Sequence, residues 1–341
     1  MAEMTKRERV MAAVKGEPVD RVPASFFGHN HPAERSSDTL APYLLEQNHK
    51  FSWDLIKVNL RSSYYGEAWG CKHRWDPQRG PQLEDYVIRS ADDFRKLERL
   101  EPTKGVLGDQ VRVAKLLGEA LKGSVPYVQT IFSPLSVAAR LAGALAMTPS
   151  EPDAIKRFMK ENPEALHHGL LIISQTLADY AREAIRAGAD GIFFATTVWS
   201  RDALTEEEYK IFGRPYDLAV LEAAIQEGAT FNILHLCREN IMLDLLSDYP
   251  VQVISYDALS PRNPSLKAAM GRTDKALWGG VDHKTTLLKG PVEAIVAEVQ
   301  AALEQTGGRR FFLGPSCTTQ FPVPETHLVA VKEALSTWQR G

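Results

Sequence analysis

The chain has 341 residues, 44% hydrophobic and 24% charged, an ordinary globular balance and enough length for one large α/β barrel or two average domains. Its 40 Lys and Arg against 43 Asp and Glu leave a formal net charge of −3 with no long run of one sign, which argues against nucleic acid or an anionic membrane as partner. The charged opening lacks the apolar core of a signal segment, no run of about 18 apolar residues occurs, and an odd set of three cysteines is poor material for a disulfide framework; a cytoplasmic chain with reduced thiols is expected.

Thr5 to Lys15 reads as a short amphipathic helix with Val10, Met11 and Val14 on one face. A turn from Gly16 then feeds a first apolar strand ending at Gly28, directly before His29, Asn30 and His31. Trp53 to Asn59 is a second strand, followed by a polar and aromatic insertion over 61–85 that contains Tyr64, Tyr65, Trp69 and Trp75. Such a segment either covers a site or packs on its own side chains. Helical patterns resume near Ala91 and over 108–121, and Ser124 to Phe132 is a third strand. Helices over 134–145, 152–160 and 164–188 lead to a fourth strand, Gly188 to Ala195, and Thr205 with Glu206 to Glu208 opens the next helix as a cap and acidic first turn. Strands at 230–236, 251–256, 276–281 and 310–313 follow, with helices expected at 239–246, around 265–270, at 291–306 and up to Trp338.

These strands are continuously apolar rather than alternating, which fits a parallel sheet covered on both faces. Eight strand–helix units without a long linker predict a (β/α)8 TIM barrel, one domain over 1–341. No Gly-x-Gly-x-x-Gly turn follows the first strand, which disfavours an open doubly wound sheet.

In such barrels the chemistry sits at the C-terminal ends of the strands. The residues found there are His29 and His31, Asn59 and Arg61, Ser133, Thr196 and Thr197, His235 and Cys237, Asp257, Asp282 and His283, and Cys317. Thr230-Phe-Asn-Ile-Leu-His-Leu-Cys237 places His235 and Cys237 two apart, so both point to the same side of an extended strand. Arg310-Phe-Phe-Leu-Gly-Pro-Ser-Cys317 ends a second strand in a thiol. One imidazole with two thiolates suits Zn2+, and three protein ligands leave a position for water or substrate, the catalytic arrangement. Asp257 and Asp282 are candidates to orient a metal-bound His, to supply a further ligand, or to cap the following helix. His29, His31, Asn59, Arg61 and Thr196 are candidate substrate contacts; the two histidines are equally suited to solvent, an anion or a metal.

The opening Arg7-Glu-Arg-Val10 with Lys15-Gly-Glu-Pro-Val-Asp-Arg-Val-Pro-Ala24, and the barrel pattern over nearly the whole chain, resembles the uroporphyrinogen decarboxylase superfamily. Within it, His235-Leu-Cys237 with Cys317 is similar to the zinc motif of the corrinoid-linked methyltransferase branch, such as methylcobalamin:coenzyme M methyltransferases. The resemblance implies zinc that activates a thiol, a methylcobalamin-type corrinoid carried by a partner protein, and a small-molecule methyl acceptor or donor; a homo-oligomer is compatible with it. The decarboxylases carry a Gln-Ala-Gly-Arg segment after the first strand, where this chain reads Gly28-His-Asn-His-Pro-Ala-Glu-Arg35, and a histidine where it has Cys317. The acidic metal ligand of the methyltransferases near the fourth strand is replaced by Thr196 and Thr197. Two rival readings are a metal-independent decarboxylase of a carboxylated tetrapyrrole-like substrate and a non-catalytic tetrapyrrole- or corrinoid-binding protein. Both predict dispensable cysteines.

Overall fold

A computed structural model describes residues 2–144, 150–246, 248–319 and 323–338. Among these, nine strands form: β1 (Ile56–Val58), β2 (Lys72–Asp76), β3 (Gly80–Asp85), β4 (Tyr127–Phe132), β5 (Gly191–Thr196), β6 (Ile233–Leu236), β7 (Val253–Tyr256), β8 (Ala276–Val281) and β9 (Phe311–Pro315). β2 and β3 make an antiparallel hairpin, and the other seven lie parallel in the order β1-β4-β5-β6-β7-β8-β9. Neighbours in this sheet follow chain order, with helices in the crossovers. That is the geometry parallel strands require.

The first predicted strand does not form a ladder. Residues 23–25 touch both sheet edges: Ser25 N donates to Leu313 O (3.0 Å), Leu313 N to Pro23 O (2.9 Å), and Asp54 N to Ala24 O (2.9 Å). The sheet therefore curls until β9 and β1 lie one chain apart, and the gap is bridged rather than closed. Pro23 has no N–H to give, so pairing there is limited to isolated bridges, Ala24 with Leu313 and Gly28 with Thr319. A Cβ on Gly28 would fall 2.0 Å from Thr319 Oγ1, so this close approach needs glycine.

Strand parity sorts the core into two layers. Leu55, Val128, Phe193, Ile233, Val253 and Phe312 face the interior, while Ile56, Phe194, Leu234, Ile254 and Leu313 pack outward under the helices. The helix Lys6–Lys15, capped by Thr5 and Glu8, adds Val10, Ala12 and Ala13 to the interior layer. These meet residues from the beginnings of strands, so this helix stoppers the N-terminal end. Arg7 to Asp190 and Arg9 to Asp20 and Asp54 fasten it there. Chemistry is left the opposite end.

Two expected elements changed. The helix expected at 239–246 is only a 3-10 turn, Leu243–Leu246, because Asn240 takes a left-handed backbone (φ 52°) that interrupts a helix. In the insertion, Tyr64 and Tyr65 are core residues, with Tyr64 Oη donating to Thr130 O (3.0 Å) and Phe132 N donating to Tyr65 Oη (2.6 Å). The helix expected over 134–145 forms as Pro134–Leu141, and its predicted end at Leu145 lies outside the described residues.

Candidate metal centre

Register explains how the cluster assembles. On β6, Ile233 and His235 share the inward face, and Cys237 continues it just past the strand end, where its N–H donates to Thr196 O (3.1 Å). His235 pairs in register with Ser255 of β7, so their side chains lie side by side, with Nδ1 3.0 Å from Ser255 Oγ. That contact leaves Nε2 free to face Cys317 Sγ at 3.1 Å, just beyond β9. The His235 ring is stacked on Phe193 at 5.0 Å, which fixes its plane. A hydrogen bond with Cys237 outweighs burial and, with the His235 and His283 imidazoles, holds the Cys317 thiol well below its ordinary range.

The three side chains fit a zinc ion. Ligand atoms of His235, Cys237 and Cys317 lie within 4.8 Å of one another. Bonds of about 2.0 Å to nitrogen and 2.3 Å to sulfur would put tetrahedral ligands about 3.5–3.8 Å apart. The spacing brackets that value, and with Nε2 on the metal Nδ1 would carry the proton and donate to Ser255 Oγ.

Lys57, which sequence reasoning passed over, reaches the same interior. It lies on β1 between the aromatic faces of Phe27 (4.5 Å) and Phe193 (4.7 Å), and its Nζ donates to Asn59 Oδ1 at 2.5 Å. Burial pushes its ammonium down to about 8, against the opposing pull of Cys317, Cys237 and Glu34. Its signal was a lone Lys inside the apolar run Trp53 to Val58, at inward parity with Asn59.

Asn59, His29 and His31 converge on buried Glu34, also unforeseen. Glu34 Oε1 lies 2.8 Å from His29 Nδ1 and accepts from Asn30 N (3.0 Å) and Asn59 Nδ2 (3.2 Å). Burial works to raise the Glu34 carboxyl, but the bond from His29 and the neighbouring His31 hold it at about 2. Arg61 braces this turn: Nε and Nη2 donate to Glu67, and Nη1 to the carbonyls of Glu34 and Arg35. Each of its three nitrogens is thus used within the protein.

Three further candidates sort by geometry. Thr196 lies on the outward face of β5, opposite in parity to Phe193 and Ala195, so it is turned away from the cluster. The structure does not bring it together with the other candidates at the cluster. Asp282 accepts from the N–H groups of Lys284 (2.9 Å), Thr285 (2.8 Å) and Thr286 (3.1 Å), as a residue capping the following turn does. Asp257 is paired with Lys284 Nζ at 3.2 Å on the rim of a ≈ 400 Å³ pocket that also reaches Cys237 and His283. A second cavity of ≈ 590 Å³, mostly apolar, is reached by His29, Lys57 and Asn59.

Fold and side chains together define a curled parallel α/β protein with a His/Cys/Cys pocket at the C-terminal ends of its strands. The uroporphyrinogen decarboxylase (URO-D) family model matches residues 5–338, and the chain belongs to that family. The methylcobamide:CoM methyltransferase MtbA of Methanosarcina acetivorans is 22% identical over 99% of this chain and 100% of its own length. MtaA of Methanosarcina barkeri, of the same name, is 25% identical over 93% of each chain. A solved methyltransferase from Methanosarcina mazei has the same fold, with a TM-score of 0.82 at 22% identity, covering 98% of this chain and 99% of its own. Among the described residues no helix is long and apolar enough to cross a membrane.

Proposed function

We propose that this protein is a zinc-dependent methyltransferase that moves a methyl group between a corrinoid, carried by a separate protein, and a small thiol or related acceptor. The carrying observation is the meeting of His235, Cys237 and Cys317 from two strand ends. We read the whole chain, 1–341, as one barrel domain in which residues 23–28 stand in for the eighth stave. The similarity to methylcobamide:CoM methyltransferases over nearly full length supports the corrinoid-linked reading.

Zinc held by His235, Cys237 and Cys317 would keep a bound thiol as thiolate at neutral pH, where a free thiol with a pKa of about 8.5 is mostly protonated. Ser255 and Phe193 hold the imidazole in orientation. Burial lowers the pKa of His283, which lines the pocket beside Cys237 and would, as a neutral imidazole, be the base available there for the thiol proton. Asp257 and Lys284 rim the opening through which a reactant enters. The decarboxylase reading has less support: Lys57 is the lone cationic side chain among the described residues lining the larger cavity, thin provision for a polycarboxylate.

The test is zinc per chain in the purified protein and in Cys237→Ala and Cys317→Ala, then consumption of methylcobalamin with a panel of small thiols. About one thiolate-bound zinc, lost in both variants together with methyl transfer, is expected. Protein that takes up no zinc when it is supplied would refute the reading.

A further inference from the structure

We propose a second, independent metal site, formed by His29, His31 and Glu34, that takes a first-row divalent transition metal. Ligand atoms of these three side chains lie within 4.8 Å of one another. Glu34 is 1% exposed and His31 9%, and two of their polar atoms, Glu34 Oε2 and His31 Nδ1, are buried without a hydrogen-bond partner. Those two atoms face each other at 3.5 Å. At that distance the two make at best a long ion pair with each other, whereas buried polar atoms are nearly always well satisfied, so the site lacks a closer partner for both.

An ion between them supplies it. Metal bonds of about 2.0–2.2 Å to nitrogen and oxygen, at angles of 90–110°, separate two ligands by about 3.0–3.4 Å. The observed gap is close to that span. Glu34 Oε1 meanwhile is held by Asn30 N and Asn59 Nδ2 and also lies 2.8 Å from His29 Nδ1, so the carboxylate is fixed with Oε2 presented and His29 would ligate through Nε2 or exchange that contact for the ion. The His29 and His31 rings are stacked at 5.2 Å, and His29 completes the set with a ring nitrogen. Two imidazoles and one carboxylate suit borderline metals such as Zn2+, Co2+ or Fe2+ rather than Mg2+ or Ca2+, which prefer all-oxygen sites.

The hairpin β2–β3 closes over this site. Gly80, at φ +73°, brings its backbone against the His31 ring, where a Cβ would fall 2.6 Å from Nδ1. Trp75 meets the same ring edge-on at 6.4 Å, with Arg35 over the indole at 5.6 Å. The ion would be sheltered from bulk water, beside the cavity reached by His29 and Asn59.

Cobalt(II) distinguishes the two sites, because thiolate ligation gives intense near-ultraviolet charge-transfer absorption and nitrogen–oxygen ligation does not. The wild type should take up two equivalents of Co2+. Cys237→Ala/Cys317→Ala should keep one, without the thiolate band, whereas His31→Ala and Glu34→Gln should each lose one and keep that band. Gly80→Ala retains all three side chains and should also lose the second equivalent, which serves if the ligand variants fail to fold. A Cys237→Ala/Cys317→Ala protein that is folded by circular dichroism and binds no Co2+ would overturn the proposal, as would a wild type that saturates at one equivalent carrying the thiolate band. The thiolate site is read separately, so failure of either site leaves the other standing.

Discussion

Ser255→Ala tests whether the cluster is built to hold metal rather than merely to pack. Ser255 Oγ is the partner of His235 Nδ1 at 3.0 Å, and both residues are almost fully buried, at 0% and 2% exposure. Removing the hydroxyl leaves an N–H against a methyl group and the Phe193 ring, an unsatisfied buried donor costing about 1–3 kcal/mol. Loss of a hydrogen bond that orients a metal-bound imidazole weakens metal affinity about 10–100-fold, or about 1.4–2.8 kcal/mol. The two routes agree. The assay is competition with a chelator, followed through the Co2+–thiolate absorption so that only this site reports, with urea unfolding of metal-free protein alongside. Weaker affinity at unchanged stoichiometry is expected. A variant that is less stable when metal-free but binds with wild-type affinity would refute the orienting role, leaving Ser255 as a core hydroxyl.

Two further outcomes follow from buried charges. Asp217 is completely buried among the hydroxyls of Tyr209 (2.6 Å) and Tyr249 (3.0 Å), and burial outweighs those bonds to push its carboxyl up to about 7. The folded chain therefore binds this proton more tightly than the unfolded one, so stability falls as pH rises from about 4 to 7; relative to Asp217→Asn, the wild type should lose roughly 2–3 kcal/mol between pH 5 and 8. Parallel urea-unfolding profiles for the two proteins would contradict this. Lys57, pushed down to about 8, carries the opposite sign: its cost to folding is full below about pH 8 and relieved as pH climbs toward 10.5. Lys57→Met should thus be more stable at pH 7, by up to about 3 kcal/mol, while binding anionic reactants more weakly in calorimetry. A variant less stable at pH 7 would show that the Asn59 and aromatic contacts outweigh desolvation.

Much of the site was legible because strand parity is local. The two-residue spacing of His235 and Cys237 requires a shared face wherever the strand lies, and apolar runs separated by helical stretches imply a parallel sheet in which strand ends meet. Asn59 and the histidines at 29 and 31 were found by position alone, without their partner. Thr196 shows the limit. It ends its strand as His235 nearly does, but the inward face falls on Phe193 and Ala195, and a list of terminal residues carries no parity.

Sequence by itself determined the alternation of strands and helices, the cap at Thr205, and the residue types available for metal binding. Tertiary structure decided who stands beside whom. Register between β6 and β7 put Ser255 against His235, curling of the sheet brought Cys317 to Nε2, and the turn after Pro32 buried Glu34 between two imidazoles. Strand pairing and sheet curvature are sums over many distant contacts, none visible in a window of neighbouring residues. For the same reason the first stave, with Pro23 unable to donate, became a bridge instead of a strand.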